Sequence, residues 1–265
     1  MSTKVDKRRL EIMRLLQSEE EVTVTAMAQL FGVTMETIRG DFDFLAVSQG
    51  LIRTHGGLTK KDNKKYDKHY FFHERQTLHM EEKKKLCYRA MDFISDGDCI
   101  YIDSGSTVIY LLNYLNQKRG LTVVTNSVGF LICYIMDGYE AMFREQGHRF
   151  LFLGGEVEAN IRMTYGTFFE QAVTEFTYDH LIFSVDALDT EHGGSNVDYQ
   201  SYTTIKSVFK NARNKILLAD NSKFDLGATY KAVRLEDVNC LITNLPLGEH
   251  WVNLLNQKRI PYYTV

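Results

Sequence analysis

No run in this 265-residue chain approaches the roughly 20 consecutive apolar residues of a membrane-spanning helix, so no span is expected. The opening residues, MSTKVDKRRLE, lack the apolar stretch of a secretory leader, and a cytoplasmic protein is the expectation. Cysteine is sparse. Cys87, Cys99, Cys133 and Cys240 lie far apart with no CxxC pair, which excludes a disulfide framework and fits free thiols in a reducing cytosol. No His/Cys/Asp cluster has ligand spacing, so neither a metal nor a cofactor is expected. Internal repeats and long low-complexity segments are also missing. So is an excess of basic charge: the formal net charge is −3, which does not advertise nucleic-acid binding. The imbalance is local. Residues 1–65 hold 11 Lys and Arg against 9 Asp and Glu, while residues 66–265 hold 20 against 25. Any electrostatic steering falls to Lys7, Arg8, Arg9, Arg39, Arg53 and the lysines of residues 60–65. That lysine run reads equally as a solvated linker or as a set of phosphate contacts.

What is present is concentrated first in residues 22–58. Ala26, Met27, Leu30 and Phe31 form one face of a short helix that Thr23 or Thr25 can cap. Gly32 allows a left-handed stop. Thr34 is placed to cap a second helix, with Glu36 in its first turn. Ile38, Phe42 and Leu45, at i, i+4 and i+7, give that helix its inward face. Its opposite face carries Thr34, Met35, Thr37 and Arg39 near the N-terminal half, where a recognition helix meets base edges. Upstream, Leu10, Met13, Leu16 and Gln17 form a covering helix, with Lys7, Arg8 and Arg9 at its start, placed for phosphates. After Gly50, LIRTHGG reads as a strand and turn, a wing offering Arg53 and His55. The pattern is a winged helix-turn-helix and points to duplex DNA. Two residues keep second readings: Arg39 can be a salt-bridge partner of Glu36 or Asp43, and His55 can simply close the wing turn.

Residues 59–73 are polar and then aromatic, the boundary between domains, with residues 66–72 placed to pack on one domain or on a subunit partner. Beyond them, strand-like and helix-like runs alternate, the signature of an open α/β domain. A helix over 81–94 faces inward with Leu86, Ala90, Phe93 and Ile94. Strands are expected over 99–102, 121–125, 150–153, 180–185, 215–219 and 240–243. Asp103, Thr125, Asp186 and Asp220 stand at strand C-terminal ends, where open α/β sheets place their ligand crevice. Between a strand and a helix start, Asp103, Ser104, Gly105, Ser106 and Thr107 combine small side chains, free N–H groups and a positive dipole end, a phosphate cradle. The alternative is a helix N-cap and nothing more. Thr125, Asn126 and Ser127 make a second small polar cluster beside it.

Both halves carry a resemblance. TIRGDFDFL and GLIRTHGGL resemble the DeoR family of bacterial transcriptional regulators, whose recognition helix reads T-I-R-R-D-L and whose wing reads R-x-H-G-G. Thr37, Ile38, Arg39 and Asp41 match, whereas Gly40 stands where the family has a second Arg. DSGST, TNS, LGG at 153–155 and LADNSKF at 218–224 resemble the family's sensor domain, itself similar to ribose-5-phosphate isomerase. The resemblance covers nearly the whole chain and implies a phosphorylated sugar or related metabolite as effector. By motif match it gives the ligand Asp103, Ser104, Gly105, Ser106, Thr107, Thr125, Asn126 and Ser127, with Lys206 and Lys223 as the family's lysines. The family's G-A-D-G-I-D reads S-V-D-A-L-D here, and its Glu two before Lys206 is Thr204, so the pocket wall differs.

The expected architecture is therefore a winged helix-turn-helix over residues 1–58, a linker over 59–73 and an effector-binding α/β domain over 74–265. The expected function is a DNA-binding regulator, a repressor of a carbohydrate-metabolism operon, acting as a homo-oligomer on an operator under control of a sugar phosphate. DNA contacts are expected from Arg8, Arg9, Thr34, Met35, Thr37, Arg39, Arg53 and His55. The alternative is an isomerase-like enzyme fused to a DNA-binding domain. Against it, the D-G-A-D-E of the resembled isomerases reads F-S-V-D-A, leaving only Asp186, better suited to accept sugar hydroxyls than to act as a base. A third possibility is an α/β domain that only oligomerises.

Overall fold

A computed structural model describes residues 4–19, 21–49, 51–54, 56–59 and 72–265. The chain divides into two compact units, Met1–Lys68 and His69–Val265.

In the first unit, α1 (Lys4–Ser18), α2 (Val24–Phe31) and α3 (Met35–Gln49) accompany a small sheet of β1 (Glu21–Thr23), β2 (Ile52–Arg53) and β3 (Gly57–Thr59) in the order β1-β3-β2. The turn between α2 and α3 is fixed by caps. Thr23 accepts the Ala26 N–H, and Gly32, at φ 62°, closes α2 in the left-handed region. The Thr37 N–H donates to Thr34 Oγ1 at 3.2 Å and starts α3. Ile38, Phe42 and Leu45 are buried as the period requires. Each such side chain contributes about 1.5–3 kcal/mol by leaving water. On the other helices Leu16 and Met27 are buried and Met13 and Phe31 pack on the core as expected, but the edges of the faces differ. Ile12 and Leu16 carry α1 while Leu10 is exposed, and Val24 and Met27 carry α2 while Leu30 is exposed. The i, i+3 spacing of Val24 and Met27 sets the inward face of α2, and Ala26 lies outside it, exposed. The wing closes on β3, where a side chain at Gly57 would meet the Val22 carbonyl at 2.6 Å.

The second unit begins with α4 (Phe72–Thr77) and α5 (Met80–Ala90), the latter ending in a 3-10 turn at Met91–Phe93. Its centre is a seven-stranded, all-parallel sheet. The strands in chain order are β4 (Cys99–Ile102), β5 (Thr122–Thr125), β6 (Arg149–Phe152), β9 (Tyr178–Phe183), β12 (Ala212–Leu218), β14 (Cys240–Thr243) and β15 (Tyr262–Thr264). Their spatial order is β15-β14-β12-β9-β4-β5-β6. Alternate residues of each strand feed two cores. Ile100, Ile102, Val123 and Ile182 face one, with Leu86, Leu111 and Phe130. Tyr101, Val124, Leu181 and Phe183 face the other, with Phe169, Ile205 and Trp251. A parallel sheet covered on both faces is the expected outcome of such apolar strands. The covering helices include α6 (Val128–Met136), α7 (Tyr139–Gln146), α8 (Thr167–Thr174), α9 (Tyr199–Phe209) and α10 (Glu249–Gln257). Two smaller sheets sit beyond the strand ends: the hairpin β7 (Glu156–Glu158) with β8 (Met163–Tyr165), and the trio β10 (Ala187–Asp189), β11 (Gly193–Asn196) and β13 (Tyr230–Val233).

The chain runs from β4 outward through β5 and β6, then returns to place β9 on the other side of β4. That reversal makes the β4–β9 boundary the switch point of the sheet, where a crevice opens outside the carboxyl ends. Asp103 follows β4 and Ser184–Asp186 follow β9, so both reach this one opening.

Candidate functional sites

On the first unit, Thr34, Met35, Thr37 and Arg39 are exposed on the N-terminal half of α3. Arg39 Nη1 donates to Glu36 Oε2 at 3.0 Å, and the two side chains are 53% and 83% exposed. An exposed pair at this spacing contributes about 0.3–0.5 kcal/mol, whereas a bidentate guanine contact contributes about 1–3 kcal/mol. Glu36 therefore holds Arg39 ready without competing with DNA.

Arg8 and Arg9 are placed otherwise than the sequence suggested. Both Nε groups donate to Asp41, Arg9 at 2.8 Å, and the Asp41 side chain is only 3% exposed. The Arg9 guanidinium also lies 3.8 Å from the centre of the Phe44 ring. A carboxylate this deep requires such partners, so these arginines pin α1 to α3 and are not free phosphate contacts. Arg53 is likewise tied, to Asp43 at 3.0 Å and to the Gly57 carbonyl. His55 and Lys60, Lys61, Lys64 and Lys65 lie outside the described residues.

On the second unit, the crevice at the switch point is lined by the 103–107 loop, by Ser184, Val185 and Asp186, and by Asn196, Ser201 and Lys223. Ile161 and Arg75 complete it. Asp103 is buried, and burial pushes its carboxyl up to about 7, with Asp198 and Asp186 adding to the shift and the Ser104 N–H opposing it. Among the described residues, the hydroxyls of Ser104 and Ser201 donate only to the Met163 sulfur, at 3.6 and 3.8 Å. A thioether is a weak acceptor, so both hydroxyls gain by turning to a ligand.

Several sequence-derived assignments change here. The segment after the DSGST loop is a six-residue 3-10 helix, Val108–Asn113, and Thr107 makes no side-chain cap. Its apolar residues are buried as expected, but neither a sustained helix dipole nor an N-cap explains the loop. Thr125, Asn126 and Ser127 are buried supports and do not line the pocket. Asn126 accepts from the Tyr101 hydroxyl and donates to the Thr164 carbonyl, and Ser127 caps α6 through the Phe130 N–H. Lys206 is exposed on α9 and approaches the Tyr202 ring, because Thr204, Ile205 and Val208 take the inward positions of that helix. It lines a separate shallow depression with Phe209 and Lys215.

Two cations escaped the sequence reading. Arg75 Nη1 donates to Asp186 Oδ1 at 2.9 Å, while Asp186 Oδ2 accepts the Val197 N–H at 2.9 Å. Lys83 is buried and donates to the Arg75 carbonyl. Burial pushes its ammonium down to about 8; Asp220 opposes this, while Lys223 and Arg75 push it further down. Arg75, Lys83 and Lys223 thus share one electrostatic neighbourhood, and the attraction for an anion comes from them. No local signal marks either one: Arg75 follows an aromatic stretch, and Lys83 opens the run Lys83–Lys85, which reads as a solvated helix face.

Residues 8–64 match the family model of the DeoR-like helix-turn-helix domain, and residues 78–245 match the DeoR C terminal sensor domain. The chain belongs to the DeoR family. Its relatives include the HTH-type transcriptional regulator IolR of Bacillus subtilis (strain 168), 24% identical over 257 residues, which are 95% of this chain and 98% of that one. The glycerol-3-phosphate regulon repressor of Escherichia coli (strain K12) is 23% identical over 235 residues, 89% of each chain. Ribose 5-phosphate isomerase from Plasmodium falciparum shares 18% identity over 54% of this chain and 52% of its own, with a TM-score of 0.34. Like these regulators and repressors, this DeoR-family chain is a transcriptional regulator and not an enzyme. The family's second recognition-helix Arg is Gly40 here; a side chain at that position would meet nothing within 4 Å, so packing does not require the glycine. Among the described residues, no helix is long and apolar enough to cross a membrane, and no cluster could hold a metal ion.

Proposed function

We propose that this DeoR-family regulator represses a carbohydrate-metabolism operon and that a phosphorylated sugar, or a similar phosphorylated metabolite, bound at the switch-point crevice sets its affinity for the operator. The observation that carries this reading is the pairing of opposite chemistries around one opening. Arg75 and Lys223 offer charge to a phosphate, while Asp103, Asp186, Ser104 and Ser201 offer acceptors and donors to hydroxyls. The Gly105–Ser106 part of the loop adds small side chains that let an anion approach the backbone. Two relatives carry names of the same kind, a glycerol-3-phosphate regulon repressor and a putative aga operon transcriptional repressor.

Residues 1–58 act as the DNA-reading module and 74–265 as the effector-reading module, in the cytoplasm. The working form is a homo-oligomer, because one helix-turn-helix reads only a short half-site and paired copies read two, about one helical turn apart. Arg39, Thr34, Met35 and Thr37 face the bases. The test is a thermal-shift screen of the full chain against phosphorylated sugars and their unphosphorylated parents, followed by operator binding with any hit. Stabilisation by phosphorylated compounds alone, together with altered operator affinity, supports the proposal. Equal stabilisation by the unphosphorylated parents contradicts the phosphate assignment.

A further inference from the structure

The crevice is incomplete in itself. Arg75 Nε and Asn196 Oδ1 are buried with no hydrogen-bond partner among the described residues, and both residues line the opening. An unpaired donor and an unpaired acceptor on one wall suit an occupant that brings both an anionic oxygen and a hydroxyl. Arg75 and Lys223 both repel the buried Lys83 ammonium, with Asp220 opposing them, so the neighbourhood favours an added anion.

Arg75 differs from the other wall residues in where it stands on the chain. It belongs to α4, the first described element after residues 60–71, through which the chain leads back to the DNA-reading unit. Phe72 anchors the start of α4 in the core of its unit, against Gly129 and beneath the Arg162 guanidinium, while Arg75 stands one turn further on at the crevice. The Phe72 N–H donates to the Asn160 carbonyl at 3.3 Å, the Tyr110 hydroxyl donates to the Gln76 carbonyl at 2.8 Å, and Lys83 holds the Arg75 carbonyl. The Arg75–Asp186 pair is the tie that a pocket occupant reaches. Its side chains are 25% and 17% exposed, so water and ligand have access to it. A phosphate carries more charge and more acceptor oxygens than one carboxylate, and it competes for a guanidinium on favourable terms.

We propose that Arg75 is an effector-binding residue and the exchange point of the sensor: with the site empty it pairs with Asp186, and the anionic group of the effector takes its guanidinium in place of that carboxylate. Asp186 is then released to accept an effector hydroxyl, and α4 shifts with Arg75. This rests on the reading of the crevice as a site for an anionic, hydroxyl-bearing metabolite.

The experiment titrates the full chain with inorganic phosphate and follows hydrogen exchange in peptides covering residues 72–77 and 104–107. In the wild type both segments respond. Asp186→Asn removes the competing charge, keeps an acceptor for the Val197 N–H, and binds phosphate at least about fivefold more tightly. Arg75→Gln loses the response at 72–77, and Arg75→Lys restores part of it. Unchanged or weaker phosphate binding by Asp186→Asn overturns the exchange, since a merely structural pair would behave that way. A response confined to 104–107 also overturns the role of Arg75 while leaving the anion site in place. No response in either segment removes the anion site and the exchange together.

Discussion

Both units of this regulator hold an arginine–aspartate pair, and the two pairs are built for opposite ends. In the DNA-reading unit, two arginines close on Asp41, whose side chain is 3% exposed, and the stacking of Arg9 on Phe44 leaves that pair fixed. In the sensor unit, one arginine meets Asp186 at the rim of a crevice, and the same carboxylate is shared with a backbone N–H. Depth and partner number separate a brace from an exchangeable contact. A buried carboxylate with two cations has no better partner available, whereas an accessible one with a single cation can be traded against a ligand.

The comparison is broken most directly at Asp41. Asp41→Ala strands two partly buried guanidinium groups and should cost the first unit about 3–5 kcal/mol, read by denaturant unfolding. The same truncation at Asp186 should cost markedly less, and equal costs would erase the distinction between brace and exchange.

Arg39 belongs with neither pair. Arg39→Ala should leave stability nearly unchanged but weaken specific operator binding by about 1–3 kcal/mol in a titration against specific and random duplexes. Equal loss on both duplexes would make Arg39 a phosphate contact.

The pocket carboxylates offer a sharper test in pH. Asp103, pushed up to about 7 by burial, keeps a proton in the folded state that the unfolded chain has released above about pH 4. Stability from this group is present at low pH and declines as pH rises through that window, by at most about 1.4 kcal/mol per pH unit. Asp103→Asn should flatten the decline in unfolding experiments run from pH 5 to 8, the wild-type curve falling more steeply than the variant's up to about pH 7. An unaltered slope would show that the group titrates normally.

The smallest effect is expected at Gly40. Gly40→Ala adds a methyl into open space in the middle of α3 and should stabilise the first unit by about 1 kcal/mol without touching Asp41. A loss of stability there would mean that the glycine serves a packing purpose.

Legibility in the sequence followed the range of the interactions. Ile38, Phe42 and Leu45 were readable because a helical period is local, and Asp103, Asp186 and Lys223 because strand ends and short motifs are local too. The partners of Asp41 and Asp186 were not, since Arg8 lies 33 and Arg75 lies 111 residues away from them. Lys206 shared its motif with the family but takes an outward position on α9, and motif identity does not specify a helix face. Thr125, Asn126 and Ser127 resemble ligand groups because small polar residues after a strand bind anions and cap helices equally well; their hydrogen bonds within the fold and their place outside the crevice wall make them supports. The 3-10 geometry after Thr107 left the burial of Val108 and Leu111 unaltered, so the apolar pattern gave no warning of it.

The central claim is that occupancy of the switch-point crevice changes affinity for DNA. Its most direct test is operator binding by the full chain with and without the sugar phosphates that stabilise it, in the wild type and in Gly105→Val. A Cβ at Gly105 makes ordinary contacts with Ser184 Cβ at 3.6 Å and Val108 Cγ2 at 3.8 Å, so the two γ-methyls of valine are what take space from the crevice-lining loop. Operator Kd should shift by about 5- to 150-fold with the wild type and not at all with Gly105→Val, whose affinity without ligand is unchanged. A wild-type affinity indifferent to every stabilising compound, or a Gly105→Val chain that still responds, would contradict the claim.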